Sequence, residues 1–186
     1  MVRPCATFSP RLAQSAPTVP SRLIEQQAWL LDAGLPVLDA PCGFGRNSLF
    51  LAEKGYKIIG VDIDRERIRF VASRTRSEPR LVKKNLSLAV CDLQAESLPF
   101  ADASYGALLI IRFIPEQWSN YLALLRTGGY LIFETMGGQG GNYLQLPRVG
   151  QMRALLGGFR MSFYRERPVG PPEAHAVTVR LVARKI

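Results

Sequence analysis

The chain has 186 residues, 47% hydrophobic and 21% charged, and its 24 Lys and Arg against 15 Asp and Glu give a net charge of +9. That size suits one domain with its own core, and the apolar content excludes disorder as the main state. No apolar run nears the roughly 18 residues of a membrane span, and Cys5, Cys42 and Cys91 are too scattered for a disulfide framework or a metal site, which points to a reducing cytoplasm.

The first 24 residues hold no acid, carry Arg3, Arg11 and Arg22, and include four prolines by Pro20. A transit peptide shares that composition, but the prolines oppose its amphipathic helix and no secretory apolar region is present. Residues 1–20 are therefore expected to form a mobile N-terminal arm ahead of a domain spanning 21–186. Residues 23–31 read as a short helix ended by Gly34 and Pro36. Residues 37–40 form a short apolar strand, Gly43 and Gly45 follow at once, and 47–54 have helical spacing until Gly55. Residues 57–61 are a β-rich run ending at Asp62, 65–76 a helix with Ile68, Val71 and Ala72 on one face, and 86–90 a third strand ending at Asp92. Residues 107–111 are wholly apolar, as a strand covered on both faces should be. A helix over 116–126, a turn at Gly128-Gly129 and a strand over 130–133 follow.

This alternation predicts an α/β, doubly wound, Rossmann-like sheet, mostly parallel. The last third differs. Gly137 to Gly141 contribute four glycines to a loop, 152–156 suit a short helix, and 159–164 and 176–183 read as strands. No helix separates these two, so they predict an antiparallel C-terminal hairpin.

Six of the nine net charges lie within 65–84, where eight basic residues face two acids. As the solvated face of a helix this cluster needs no function, and it lacks the interleaved aromatics of a single-strand binding site. Nucleic acid is a possible partner, but a small molecule is the favoured one; neither a membrane association nor an oligomeric state is indicated.

The acids at the strand ends carry more information. In an open parallel sheet ligands bind beyond the carboxyl ends of the strands, at the switch in strand order. Asp39, Asp62 and Asp92 would line that one edge, beside a loop in which Gly43 and Gly45 clear space for a ligand. Asp62 stands where an acid takes the ribose hydroxyls of a nucleoside cofactor, and Asp92 where one accepts from an adenine amine. A dinucleotide fingerprint needs a third glycine where this chain has Ser48, and a phosphate loop needs a Gly-Lys-Ser/Thr triplet that is missing. Asp39 would repel a pyrophosphate but suits a cofactor with a cationic end, such as S-adenosylmethionine.

Val37-Leu38-Asp39-Ala40-Pro41-Cys42-Gly43-Phe44-Gly45-Arg46-Asn47 resembles the first motif of class I S-adenosylmethionine-dependent methyltransferases. Gly60-Val61-Asp62-Ile63-Asp64, Cys91-Asp92-Leu93 and Leu125-Arg126-Thr127-Gly128-Gly129-Tyr130 are similar to their later motifs. Residues 45–52 and 179–185 resemble the small bacterial tellurite-resistance-type branch (methyltransferase type 11/12-like). The resemblance implies a seven-stranded sheet. It also implies that Asp39, Gly43 and Gly45 surround the methionine moiety and that Asp62 takes the ribose, with Ala40, Pro41, Asn47 and Ile63 also binding the cofactor. Asp92 and Leu93 would flank the adenine, while Ile111 and Arg112 would face donor and acceptor. Pro41 replaces the usual first glycine, and Tyr105-Gly106 stands where Phe-Asp is common.

Catalytic residues are not assigned. His175, the one histidine, reads as a surface residue, Cys42 as a packed one, and the two tryptophans and Phe113 as core or rim packing. Glu134 and Tyr143 flank the glycine loop, where Glu134 could also simply pair with an arginine. Methyl transfer by in-line displacement to a small nucleophile is the expected activity. RNA methylation, a non-catalytic S-adenosylmethionine-binding module and an NAD-dependent oxidoreductase are the alternatives.

Overall fold

Seven strands form one sheet in a computed structural model that describes residues 17–186. They are β1 (Val37–Asp39), β2 (Ile58–Asp62), β3 (Leu86–Val90), β4 (Tyr105–Ile111), β5 (Leu125–Glu134), β6 (Phe159–Pro168) and β7 (Val177–Lys185). Their spatial order is β3-β2-β1-β4-β5-β7-β6, parallel throughout except that β7 runs antiparallel to both β5 and β6. The expected seven-stranded architecture with its C-terminal hairpin is thus present. Most of the expected N-terminal arm lies outside the described residues.

The helices are α1 (Arg22–Gln27), α2 (Arg46–Glu53), α3 (Arg65–Ser77), α4 (Arg80–Asn85), α5 (Trp118–Leu124) and α6 (Gln151–Leu155). The expected helix over 116–126 is shorter because β5 already begins at Leu125. The glycine loop after β5 runs into a 3-10 turn over Gly140–Gln145. Among the described residues, no helix is long and apolar enough to cross a membrane.

Alternation along the central strands explains their uniform apolarity. On β4, Ala107, Leu109 and Ile111 pack with Leu23, Ile24, Leu51 and Val71 of α1, α2 and α3. Leu108 and Ile110 point the other way, into a second core with Tyr121, Leu124, Phe133 and Leu181. Each fully buried Leu or Ile contributes roughly 1.5–3 kcal/mol, so the two cores hold helices on both faces. Trp118 stacks edge-on against Phe133 at 5.1 Å between ring centres, whereas Trp29, expected to pack, stands 74% exposed. Its neighbour Ala28 takes the core-facing position of that turn, which turns Trp29 outward.

Strand order reverses between β1 and β4, so the connections leaving their carboxyl ends diverge and open a crevice. Asp39 pairs with Leu109, and β4 continues two residues further, to Ile111, on the rim of that crevice.

Candidate active site

The glycine loop occupies the mouth of the crevice. Cys42 N–H donates to the Val61 carbonyl at 2.7 Å, and Gly43 N–H donates to Asp62 Oδ2 at 2.9 Å. Asp62 Oδ1 accepts from Asp64 N–H at 2.9 Å, so this nearly buried carboxylate ties the loop after β1 to the turn after β2. Asp64 in turn caps α3 by accepting from the N–H groups of Glu66 and Arg67. Gly45 has φ +74° and heads α2 so closely that an added Cβ would lie 2.7 Å from Val71 Cγ1. Gly43, at φ +56°, has no atom within 4 Å of that position and faces open space.

Asp39 lies beneath the loop with no exposed surface. Ser48 Oγ donates to its Oδ2 at 2.5 Å, while Oδ1 has no hydrogen-bond partner. Burial raises its pKa from 3.8 to about 7, against the lowering effects of the Ser48 hydrogen bond and of Arg46. A carboxyl group poised near neutrality, with one oxygen unspoken for, has the chemistry to accept a cationic group.

The resulting cleft measures about 300 Å³. Of the twelve expected cofactor residues, Pro41, Gly43, Asn47, Asp62, Ile111 and Arg112 line it. Asp39, Ala40 and Gly45 are buried behind that lining. Ile63 is 63% exposed to solvent, Asp92 is exposed where it accepts from Gln94 N–H, and Leu93 is buried in the second core; none of these three lines the cleft. Phe44, Arg46 and Arg67 also line it and were missed by the sequence reading. Arg67 was hidden in the basic cluster; it turns back 3.7 Å from Asp62 and sits over the Phe44 ring. Burial and nearby Arg112 both press the Arg46 guanidinium below its ordinary pKa.

A second hollow, of about 320 Å³, adjoins the first and shares Arg112 with it. Arg112 has φ +59°, and its N–H donates to the Glu134 carbonyl at 2.6 Å. Glu134 lines this hollow and pairs with Arg180 at 2.8 Å, while Ser21 Oγ donates to its other oxygen at 2.6 Å. Ser21 N–H also donates to Asn47 Oδ1 at 2.8 Å, and Pro17 lines the first cleft. Neither His175, exposed at φ +49°, nor Tyr143, packed against Gly170, lines either space. Burial pushes the Cys42 thiol well above its ordinary pKa, with Asp39 and Asp62 adding to the effect, so it is no nucleophile.

Residues 37–129 match the methyltransferase domain family, half of the chain and the whole glycine loop with the three strand-end acids. The chain belongs to the class I S-adenosylmethionine-dependent methyltransferases. The chain is 32% identical over 119 residues to the methyltransferase GfsG of Streptomyces halstedii, covering 59% of the chain and 41% of GfsG. The chain spans less than half the length of the curated relatives it matches. In fold, the chain is similar to a Methanosarcina mazei S-adenosylmethionine-dependent methyltransferase at TM-score 0.65 and 22% identity, covering 90% of this chain and 99% of that one. TehB from Haemophilus influenzae aligns at TM-score 0.64 and 16% identity, over 94% of this chain and 66% of TehB.

Proposed function

We propose that this chain transfers a methyl group from S-adenosylmethionine to a small-molecule nucleophile. The observation that carries the reading is the buried Asp39 carboxylate, one oxygen unpartnered, beneath a glycine loop whose Gly43 opens onto free space. That geometry fits a ligand with a cationic end that must approach the backbone closely. Asp39 would hold the cationic methionine end, and Arg46 with Arg112 its carboxylate. The Asp62 oxygens each keep a lone pair beyond the backbone bonds they accept, available to ribose hydroxyls. Asp92 and Leu93, off the end of β3, would flank the adenine.

When bound, the cofactor supplies an electrophilic methyl group on a sulfonium that leaves as a neutral thioether. The chain's own contribution is alignment of nucleophile, methyl and sulfur, worth up to ~7–11 kcal/mol when geometry is well held. Among the described residues the second hollow offers no free base: Glu134, its one carboxylate, is engaged by Ser21 and Arg180. The arrangement therefore suits an acceptor already ionised at neutral pH. A nicotinamide dinucleotide fits poorly, because Ser48 fills the third glycine position and binds Asp39 instead. The free thiols Cys42 and Cys91 support a reducing, cytoplasmic setting.

Thermal melting with added ligand tests the reading. Saturation at about 100 times the Kd adds ~2.7 kcal/mol of stability, expected with S-adenosylmethionine and not with NAD. Asp62→Ala should abolish most of that shift. No shift with either ligand would overturn the enzyme reading, and turnover confined to RNA would overturn the small-molecule acceptor.

A further inference from the structure

The hollow beside the donor cleft is lined by four arginines, Arg112, Arg165, Arg167 and Arg180, and by one carboxylate, Glu134. β6 and β7 bring three of them together. Arg165 pairs directly across from Arg180, and Arg167 from Thr178, so alternation puts these side chains on one face of the hairpin. Tyr164 and Glu166 take the opposite face, where Glu166 accepts from Gly150 N–H and from the Tyr164 hydroxyl. Glu134 neutralises Arg180 alone. Arg112, Arg165 and Arg167 form no ion pair with any described residue. Residues 1–16 contain no Asp or Glu that could supply one.

Like charges directly opposed on antiparallel strands destabilise the pair, and converging unpaired guanidiniums add to that repulsion. Such an arrangement lowers its energy when an anion enters. Planar guanidiniums match carboxylate and phosphate oxygens with paired N–H donors. The volume of about 320 Å³ matches a small molecule, and Arg112 forms the shared wall with the donor cleft.

Building on the methyl-transfer reading, we infer that the acceptor is a small anion, held through a carboxylate or phosphate group by Arg165, Arg167 and Arg112. The acidic group is the handle that sets the acceptor's position beside the donor. Glu134, by engaging Arg180, keeps the arginine nearest β5 in place.

The test uses the full chain at constant ionic strength. Melting is followed with inorganic pyrophosphate, succinate, the uncharged succinamide, and a short single-stranded RNA. Saturable stabilisation is expected with pyrophosphate, succinate or both, and none with succinamide; whichever anion binds tighter identifies phosphate or carboxylate as the preferred group. The double variant R165Q/R167Q should weaken anion binding at least about tenfold, since charged hydrogen bonds are being removed. Arg160→Gln, on β6 but outside the hollow, should leave it unchanged. Both variants should keep the S-adenosylmethionine shift. Equal responses to succinamide, no response to either anion, or an unaltered response in R165Q/R167Q would overturn the inference. RNA binding tighter than both small anions would also overturn it, in favour of a polyanionic partner. In the wild-type chain, a response to S-adenosylmethionine but to neither anion defeats this inference alone; a response to an anion but not to S-adenosylmethionine defeats the methyl-transfer reading alone.

Discussion

Ser48 Oγ donates a 2.5 Å hydrogen bond to Asp39 Oδ2, joining the first turn of α2 to the end of β1 inside a fully buried space. Ser48 occupies the position where a dinucleotide-binding loop has its third glycine. Here it partners the acid that the ammonium end of the cofactor would otherwise meet unsupported. Ser48→Ala removes the hydroxyl donor to the buried Asp39 Oδ2, a loss of about 1–3 kcal/mol. Urea denaturation at pH 8 checks this, and a variant as stable as the wild type would show the bond to be idle. Ser48→Gly should likewise lose stability without gaining affinity for NAD.

The Asp39 environment also predicts a pH dependence. Its pKa rises on folding from 3.8 to about 7, chiefly through burial, so between these values the folded chain holds a proton that the unfolded chain has released. The stability associated with this group is fully present below pH 3.8 and is lost as pH rises through about 7. The span corresponds to roughly 4 kcal/mol. Asp39→Asn imitates the protonated form and should gain stability over the wild type at pH 8 while matching it near pH 4. Cofactor affinity should move oppositely. A cation beside Asp39 favours the ionised form, so wild-type affinity should increase up to about pH 7 and binding should release a proton. Calorimetry in buffers of differing ionisation enthalpy measures that release; Asp39→Asn should bind weakly and release none.

The fold was largely legible because its signals are local. β4 reads as a strand buried on both faces from its unbroken apolar run, and Gly43, Gly45, Asp39 and Asp62 stand within single loops or at strand ends. The second hollow is different. Arg165 and Arg167 stand well apart from Arg180 along the chain, and only the antiparallel register of β6 and β7 gathers them. Arg67 was misread for a related reason. Composition placed it in a solvated cluster, whereas the helical turn from the Asp64 cap carries it back over Phe44. Asp92 and Leu93 illustrate the reverse limit: strand-end position placed them correctly along the edge, but β3 lies two strands from the crevice, and neither lines the cleft.

The two loop glycines should separate stability from binding. At Gly45 a side chain meets both a left-handed backbone and Val71, with Cβ 2.7 Å from Cγ1. Gly45→Ala should therefore lose about 2–4 kcal/mol, combining left-handed strain with overpacking. At Gly43 only the backbone strain applies, about 1–2 kcal/mol, since the surrounding space is open. The methyl group of Gly43→Ala would instead project toward the cleft, so this variant should stay folded and lose much of its S-adenosylmethionine-induced melting shift. Comparable losses of stability in the two variants would contradict the geometry.

Ser21 links the described start of the chain to both spaces. Its N–H donates to Asn47 Oδ1 at 2.8 Å beside the first cleft, its hydroxyl to Glu134 Oε2 at 2.6 Å beside the second hollow, and Leu23 N–H donates back to that hydroxyl at 3.3 Å as the cap of α1. Ser21→Ala removes the cap and the Glu134 contact together, with a loss of about 1–2 kcal/mol. Hydrogen exchange should quicken across α1 more than across α2. Glu134→Gln retains an acceptor for Ser21 while breaking the charge pair with Arg180. Exchange in α1 should then stay near the wild-type rate, while the hollow gains one net positive charge and takes up pyrophosphate more tightly. Fast exchange in α1 of Glu134→Gln would show that the Arg180 pair, and not the serine bond, anchors this segment.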